Sequence, residues 1–344
     1  MSSDKFAEES GWNAYLAQAS ASDRAEIEAA VAGQDFGRVR RVDRGECDLL
    51  TSSGDVRVAS DSQRSQSQAA PATGDWAVVV DDPDIGPRID LILPRHTALV
   101  RRDPAEEVVE QIMAANVDHV GVVCGLDRPL SIARIERFLV LAMDSGATPV
   151  VVVSKADLKP RGEGWDTLEE TLSDVRVIRT SSHQAQGLDP LRSLLQPSAT
   201  LVLLGESGAG KSALVNALVG EEVQAIGEVR DSDSKGRHTT TARELRLIPG
   251  GGVLIDTPGI RGVGLWDAGP AVDRVFADIT ELGTRCRFND CSHAVEPDCA
   301  VQNAAEDGTL PSARLERYLR LVAELEEQAE MREQRRRNSR GRRR

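Results

Sequence analysis

The stretch GESGAGKS, residues 205 to 212, meets the pattern GxxxxGK[ST] at every fixed position and lies between the apolar run TLVLL and the helix-like run ALVNALV. No other feature of the 344-residue chain restricts its fold as tightly. Such a loop needs a buried strand before it and a helix after it, so that glycines let successive backbone N–H groups converge on phosphate oxygens in front of the helix's positive end. Gly205, Glu206, Ser207, Gly208, Ala209, Gly210, Lys211, Ser212 and Ala213 are therefore expected to surround nucleotide phosphates. Lys211 should reach the β and γ phosphates and Ser212 should hold Mg²⁺.

The surrounding texture agrees. DHVGVVCGL, TPVVVVSKADL, VRVIRTSS and GGVLIDTPG are near-continuous apolar runs separated by amphipathic stretches such as IARIERFLVLAMDSG, the pattern of a parallel sheet covered on both faces. LIDTPG ends a hydrophobic strand with Asp256, placed to bind Mg²⁺ through water, and the N–H of Gly259 can sense a γ phosphate. Ser154, Lys155, Ala156 and Asp157 read as a variant of the Asn-Lys-x-Asp guanine motif. Asp157 can accept from the ring N1–H and exocyclic amine of guanine, two donors that adenine lacks, while the Lys155 stem packs over the base. Ser154 stands where that motif carries Asn, and without the amide the loop is expected to be less firmly tied. RTSSHQ, with Ser181 and Ser182, reads as the short loop whose backbone meets the guanine carbonyl.

These base-reading loops precede the phosphate loop, whereas ordinary GTPases place them after it. A doubly wound sheet tolerates that permutation because its ligand loops sit at strand ends. It leaves the DTPG sensor leading directly into the carboxy-terminal region. Between phosphate loop and sensor lies SKGRHTTTARE, where one of Thr239, Thr240 and Thr241, with Thr240 preferred, should close over Mg²⁺. Ile260 follows DTPG in place of the usual water-orienting glutamine, and His238 is the nearest candidate for that role.

Residues 36–97 carry four or five short alternating stretches broken by Gly, Ser and Asp, which suits a small β-barrel; an oligonucleotide-binding (OB) barrel matches in size, as would a barrel without a ligand. The expected organisation is a multidomain one: an extension over 1–35, the barrel over 36–97, the α/β domain over 98–265, a helical metal-binding domain over 266–330 and an Arg-rich tail over 331–344. Cys286, Cys291, His293 and Cys299 place four soft ligands within one short stretch, a set that suits one tetrahedral, structural Zn²⁺. Cys47 and Cys124 read as core residues. The final helix should carry Leu315, Leu319, Val322 and Leu325 on one face. Net charge is −13, yet REQRRRNSRGRRR at the end reads as a solvated, disordered tail able to touch RNA. The polar, acidic first residues and the lack of a long apolar run suggest a cytoplasmic protein without a membrane partner.

Taken in order, GDW at 74–76, LPR at 93–95, SKAD, GESGAGKS, GRHTTT, DTPG and the Cys-Cys-His-Cys cluster resemble the RsgA (YjeQ) family of circularly permuted, small-ribosomal-subunit-dependent GTPases. GWNAYL also resembles the leader of a longer subgroup. The resemblance implies an OB-type barrel, a permuted P-loop GTPase domain and a zinc-binding helical domain. It implies a monomeric late assembly factor that binds the small (30S) subunit and its 16S rRNA through barrel and zinc region, cycles between GTP and GDP, and leaves on hydrolysis. It maps the zinc ligands onto Cys286, Cys291, His293 and Cys299 and the proposed catalytic histidine onto His238, beside Lys211 and Thr240. The competing reading is a nucleotide-regulated RNA-binding chaperone whose hydrolysis is incidental.

Overall fold

Three short helices, α1 (Ser3–Glu9), α2 (Trp12–Gln18) and α3 (Ala21–Val31), lead into short strands that mix buried and solvent-facing positions. The computed structural model describes residues 3–60, 65–66, 69–101, 111–172, 174–196, 198–221, 243–257 and 268–341. Strands β1 (Asp35–Val42), β2 (Glu46–Thr51), β3 (Gly54–Ala59), β4 (Trp76–Asp82) and β5 (Gly86–Ile92) close into a barrel in the order β1-β2-β3-β5-β4. β3 and β5 run parallel and the other neighbours antiparallel, the five-stranded OB arrangement. Val39, Cys47, Leu49, Val58, Ala77 and Ile89 fill it. Its outward arginines are largely committed: Arg57 to Asp43, Glu46 and Asp48, Arg88 to Asp82 and Asp90, Arg41 to Asp43, and Arg40 to Asp55 and Glu244.

A two-stranded ribbon, β6 (Ala98–Arg101) with β7 (Gln111–Ala115), comes next. Then β8 (His119–Gly125), α4 (Ile132–Asp144), β9 (Thr148–Ser154), α5 (Leu168–Thr171), β10 (Val177–Arg179), α6 (Asp189–Leu194), β11 (Thr200–Gly205), α7 (Lys211–Val219), β12 (Glu244–Leu247) and β13 (Val253–Asp256) follow. The sheet order is β10-β9-β8-β11-β13-β12, parallel except for the edge strand β12. Val150 to Val153 and Leu201 to Leu204 are buried throughout, as strands covered on both faces must be. The chain steps outward from β8 through β9 to β10, then returns to the other flank of β8 as β11. Order therefore reverses between β8 and β11, and the loops leaving the carboxyl ends of β8, β9, β10, β11 and β13 share one edge, the usual position of a ligand crevice in such sheets.

Arg38 on β1 is buried at the meeting point of helices, barrel and sheet. Its guanidinium donates to the carbonyls of Ser10 at 2.7 Å, Gly74 at 3.3 Å and Asn116 at 3.0 Å, and to Thr200 Oγ1 at 2.8 Å. Burial lowers its pKa to about 10, against the pull of Asp118 and Asp75, so it stays charged at neutral pH. Gly11 must be glycine here: its φ is +87°, and a Cβ would lie 2.7 Å from the guanidinium. Around this charge Phe6, Trp12, Tyr15, Phe36 and Trp76 pack as one aromatic cluster, with ring centroids 4.7 to 6.3 Å apart. Residues 3–35 thus form a clamp on the barrel, a role the sequence motifs do not announce.

A second compact unit holds α4 together with α8 (Gly269–Val275), α9 (Ala277–Gly283), α10 (Ala300–Glu306) and α11 (Ser312–Gly341). Glu136 on α4 is buried between Arg314 and Arg317 of α11, with contacts of 2.8 to 3.1 Å. Arg314 also bonds Asp278 and lies over the Phe276 ring. This pairing, with Tyr318 against Phe276, turns the helix so that Leu315 and Leu321 are the buried leucines, while Leu319, Val322 and Leu325 are only partly covered. The helix continues to Gly341, so the arginines from 332 to 340 stand on helical backbone rather than a disordered tail. Among the described residues no helix is long and apolar enough to cross a membrane.

Arg38→Ala takes a buried donor from the carbonyls of Ser10 and Asn116 and from Thr200 Oγ1, while Gly74 O keeps its bond from Asn116 Nδ2. It is expected to lower unfolding stability by roughly 3 kcal/mol. Urea unfolding followed by tryptophan fluorescence checks this, because Trp12 and Trp76 lie in the affected cluster.

Candidate nucleotide site and metal centre

β11 ends at Gly205, whose φ is +150° and where a Cβ would sit 2.4 Å from the Val123 carbonyl, so only glycine lets the strand turn out of the sheet. Five successive carbonyls of the loop that follows each accept a side-chain hydrogen bond. Lys211 Nζ donates to Gly205 O at 2.8 Å and Glu206 O at 2.7 Å. Arg128 Nη1 donates to Ser207 O at 3.1 Å, Lys155 Nζ to Gly208 O at 3.0 Å, and Ser154 Oγ to Ala209 O at 2.5 Å. With those carbonyls held, α7 begins directly behind Gly210, whose φ is +92° and where a Cβ would lie 3.0 Å from Ser154 Oγ. Ser212 and Ala213 are in its first turn.

The base-reading candidates reach the same place from the neighbouring strands. Ser154 ends β9, and its hydroxyl also lies 3.3 Å from Cys124 O. The smaller residue therefore makes a tie of its own to the phosphate loop. Lys155 has a φ of +58°, a left-handed turn that carries its stem back toward Gly208. Ala156 N donates to Thr180 O at 2.9 Å, joining the loops after β9 and β10. Ser181 Oγ donates to Asp157 Oδ1 at 2.6 Å, and this bond chiefly holds the exposed carboxyl below its ordinary pKa, ionised and oriented. Ser182 follows in the same turn.

Asp256 closes β13 beside Leu203 of β11, and it is buried. Burial lowers the Lys211 ammonium to about pKa 8, partly offset by the negative charge of Asp256. His238, Thr239, Thr240, Thr241 and Gly259 lie outside the described residues.

In the helical unit, Cys286, Cys291, His293 and Cys299 bring their ligand atoms within 4.8 Å of one another. Cys286 Sγ is 3.8 Å from Cys299 Sγ and 3.6 Å from His293 Nδ1, which is 3.5 Å from Cys299 Sγ. A tetrahedron with metal–sulfur bonds of about 2.3 Å has edges of about 3.8 Å, so the four donors fit one metal ion with no ligand position left over. His293 and Asp298 adopt positive φ values of 60° and 57°, and Gln302 Nε2 donates to His293 O, shaping the loop that aims the ligands.

Residues 92–266 match the family model described as RsgA GTPase. A Streptomyces coelicolor protein named small ribosomal subunit biogenesis GTPase RsgA is 50% identical over 294 residues, which span 84% of this chain and 80% of that one. The chain belongs to the RsgA GTPase family. Two solved structures share the fold of this RsgA-family chain. One is described as YjeQ from Thermotoga maritima, with a TM-score of 0.61, 26% identity, and coverage of 85% of this chain and 98% of that one. The other is described as YloQ, a circularly permuted GTPase, with a TM-score of 0.59, 25% identity, and coverage of 86% and 96%. Permutation accounts for the sheet: in the RsgA order, β9 and β10 deliver their loops before the chain reaches β11.

Asp127 and Arg128, which follow β8 in CGLDRPL, match no phosphate or base pattern. The apolar run ending at Gly125 marks a strand tip, while nothing in the sequence assigns a role to the two charges beyond it.

The lowered Lys211 pKa has a consequence for ligand binding. In the free protein Lys211 loses its proton near pH 8, whereas phosphate oxygens beside it stabilise the ammonium and raise the pKa. Above about pH 8 nucleotide binding should take up a proton, and affinity should fall by up to about tenfold per pH unit. Calorimetry of GDP binding at pH 7 to 9.5, in two buffers of different ionisation enthalpy, checks both sign and window.

Proposed function

We propose that this GTPase serves the assembly of the small ribosomal subunit, hydrolysing GTP on the particle and leaving it when hydrolysis is complete. The observation that carries the reading is that Ser154 and Lys155 bond the phosphate loop while Asp157, two residues on in the same turn, is held by Ser181, in a chain half identical to a small-subunit biogenesis GTPase. In this reading Asp157 takes the guanine N1–H and amine, and the Lys155 stem lies against the base. The N–H groups of 206–213 surround the phosphates, and Lys211 neutralises the β and γ oxygens. The Ser212 hydroxyl, the Asp256 carboxylate and the hydroxyl of Thr240 are assigned to Mg²⁺, which would supply charge at the bridging oxygens. A hydroxyl at the start of α7 and a buried carboxylate closing β13 are the hard oxygen donors such an ion requires. His238 is assigned to orienting the attacking water, and Gly259 to sensing the γ phosphate.

The metal at the Cys-Cys-His-Cys cluster is assigned as Zn²⁺, since three thiolates and an imidazole in tetrahedral spacing match its preferences and leave no open position for catalysis. Its role is then structural. Contact with 16S rRNA is assigned to this region and to the barrel, and the protein is placed in the cytoplasm with its substrate particle. Because the described barrel arginines are largely paired with carboxylates, few are available there for phosphate contacts.

Turnover of GTP and ATP with and without purified small subunits tests the reading. GTP hydrolysis alone should be slow, on the order of 10⁻⁴ per second, should rise steeply with subunits, and should far exceed ATP hydrolysis. No acceleration, or equal use of ATP, would contradict it. His238→Ala should abolish the acceleration while subunit binding persists; an unchanged stimulated rate removes His238 from the chemistry and leaves the GTPase assignment standing.

A further inference from the structure

Of the donors that hold the phosphate-loop carbonyls, Lys155 has its own partner outside the recognised motifs. Its ammonium lies 2.6 Å from Asp127 Oδ2 as well as 3.0 Å from Gly208 O. Asp127 sits in the turn after β8, where Arg128 N returns to Gly125 O and Arg161 N to Leu126 O. Gly125 leaves room for it, since a Cβ there would come within 2.5 Å of Asp127 Oδ1. The next residue, Arg128, grips Ser207 O and lies 3.8 Å from the Glu206 carboxylate. One short turn therefore controls two adjacent peptides of the phosphate loop, one directly and one through Lys155.

Lys155 also has a rival partner. Asp157 lies two residues further along the same loop, and the Lys155 charge already acts on it. An ammonium on a flexible four-carbon stem can pair with either carboxylate. Paired with Asp157, it would neutralise the group assigned to guanine and draw its stem away from the base position.

We propose that Asp127 is a positioning residue for guanine nucleotide binding: it holds the Lys155 ammonium on the phosphate-loop side, keeps the stem across the base position, and leaves the Asp157 carboxylate free for guanine. Both side chains are about one-third exposed, 31% and 32%, so the ion pair is a modest one. Its loss should weaken binding by about fivefold. The inference rests on the assignment of Lys155 and Asp157 to the base, and the test separates the two.

Affinities for fluorescent GDP and for competing magnesium tripolyphosphate, which has phosphates and no base, are measured on the full chain for the wild type, Asp127→Ala, Asp127→Asn, Lys155→Ala and Asp127→Ala/Lys155→Ala. Both Asp127 variants should lose about fivefold for GDP and less than about twofold for tripolyphosphate. The double variant should bind GDP as Lys155→Ala does, because Asp127 acts through Lys155. Equal losses for the two ligands would make Asp127 a support of the loop alone and overturn the proposal. A loss that adds in full to that of Lys155→Ala would overturn it as well. If Lys155→Ala itself leaves GDP affinity unchanged, the assignment of Lys155 to the base fails, and the proposal fails with it.

Discussion

A phosphate site built from backbone N–H groups works only when the carbonyls of the same peptides are already committed elsewhere, because each peptide unit turns as a plane. From Gly205 to Ala209 every carbonyl has such a commitment, supplied by Lys211, Arg128, Lys155 and Ser154. These four donors come from α7, the turn after β8, and the end of β9. The sheet order β9-β8-β11 is what lets them reach one loop. The phosphate loop is thus a product of its neighbours, and the nucleotide meets a geometry whose ordering cost was met during folding.

The same commitment ties recognition of the base to recognition of the phosphates. Ser154 and Lys155 hold the phosphate loop, and Asp157 follows them in the same turn, held in its ionised form by Ser181. A permuted chain keeps this arrangement because it depends on which strand tips adjoin, and on neither their order in sequence nor the position of the termini. Further back, Arg38 secures the start of β11 through Thr200, so the strand that carries the loop is fixed to the barrel at its other end.

Much of this was legible from residues alone. The phosphate loop, the alternation of buried strands with helices, the short barrel strands and the Cys-Cys-His-Cys spacing are local patterns, and each reflects a local physical requirement. The contribution of Ser154 was not legible, because a hydroxyl can replace an amide only when the backbone lies close enough, and that distance is set by the packing of β9 against β8 and of α7 behind Gly210. Asp127 and Arg128 were illegible for a related reason: a short turn has no periodicity, and its two charges acquire meaning only beside Gly208 and Ser207. The N-terminal helices escaped because their packing runs through aromatic residues scattered between Phe6 and Trp76. In α11 the apolar stripe lies on the covered side, with Leu315 buried and Leu319, Val322 and Leu325 partly so, while the burial of Leu321 and the Glu136 pairing with Arg314 and Arg317 were not written in it.

The central claim is that a carboxylate written before the phosphate loop reads the base of the nucleotide that loop holds. Exchanging it for an amide at position 157 tests this directly, because Asn presents a donor where Asp presents only acceptors, and xanthine carries a carbonyl where guanine carries an amine. Titrating wild type and Asp157→Asn with guanosine and xanthosine diphosphates should show the preference inverted, the variant binding the xanthine nucleotide more tightly. An undiminished preference for guanine in the variant would contradict the account.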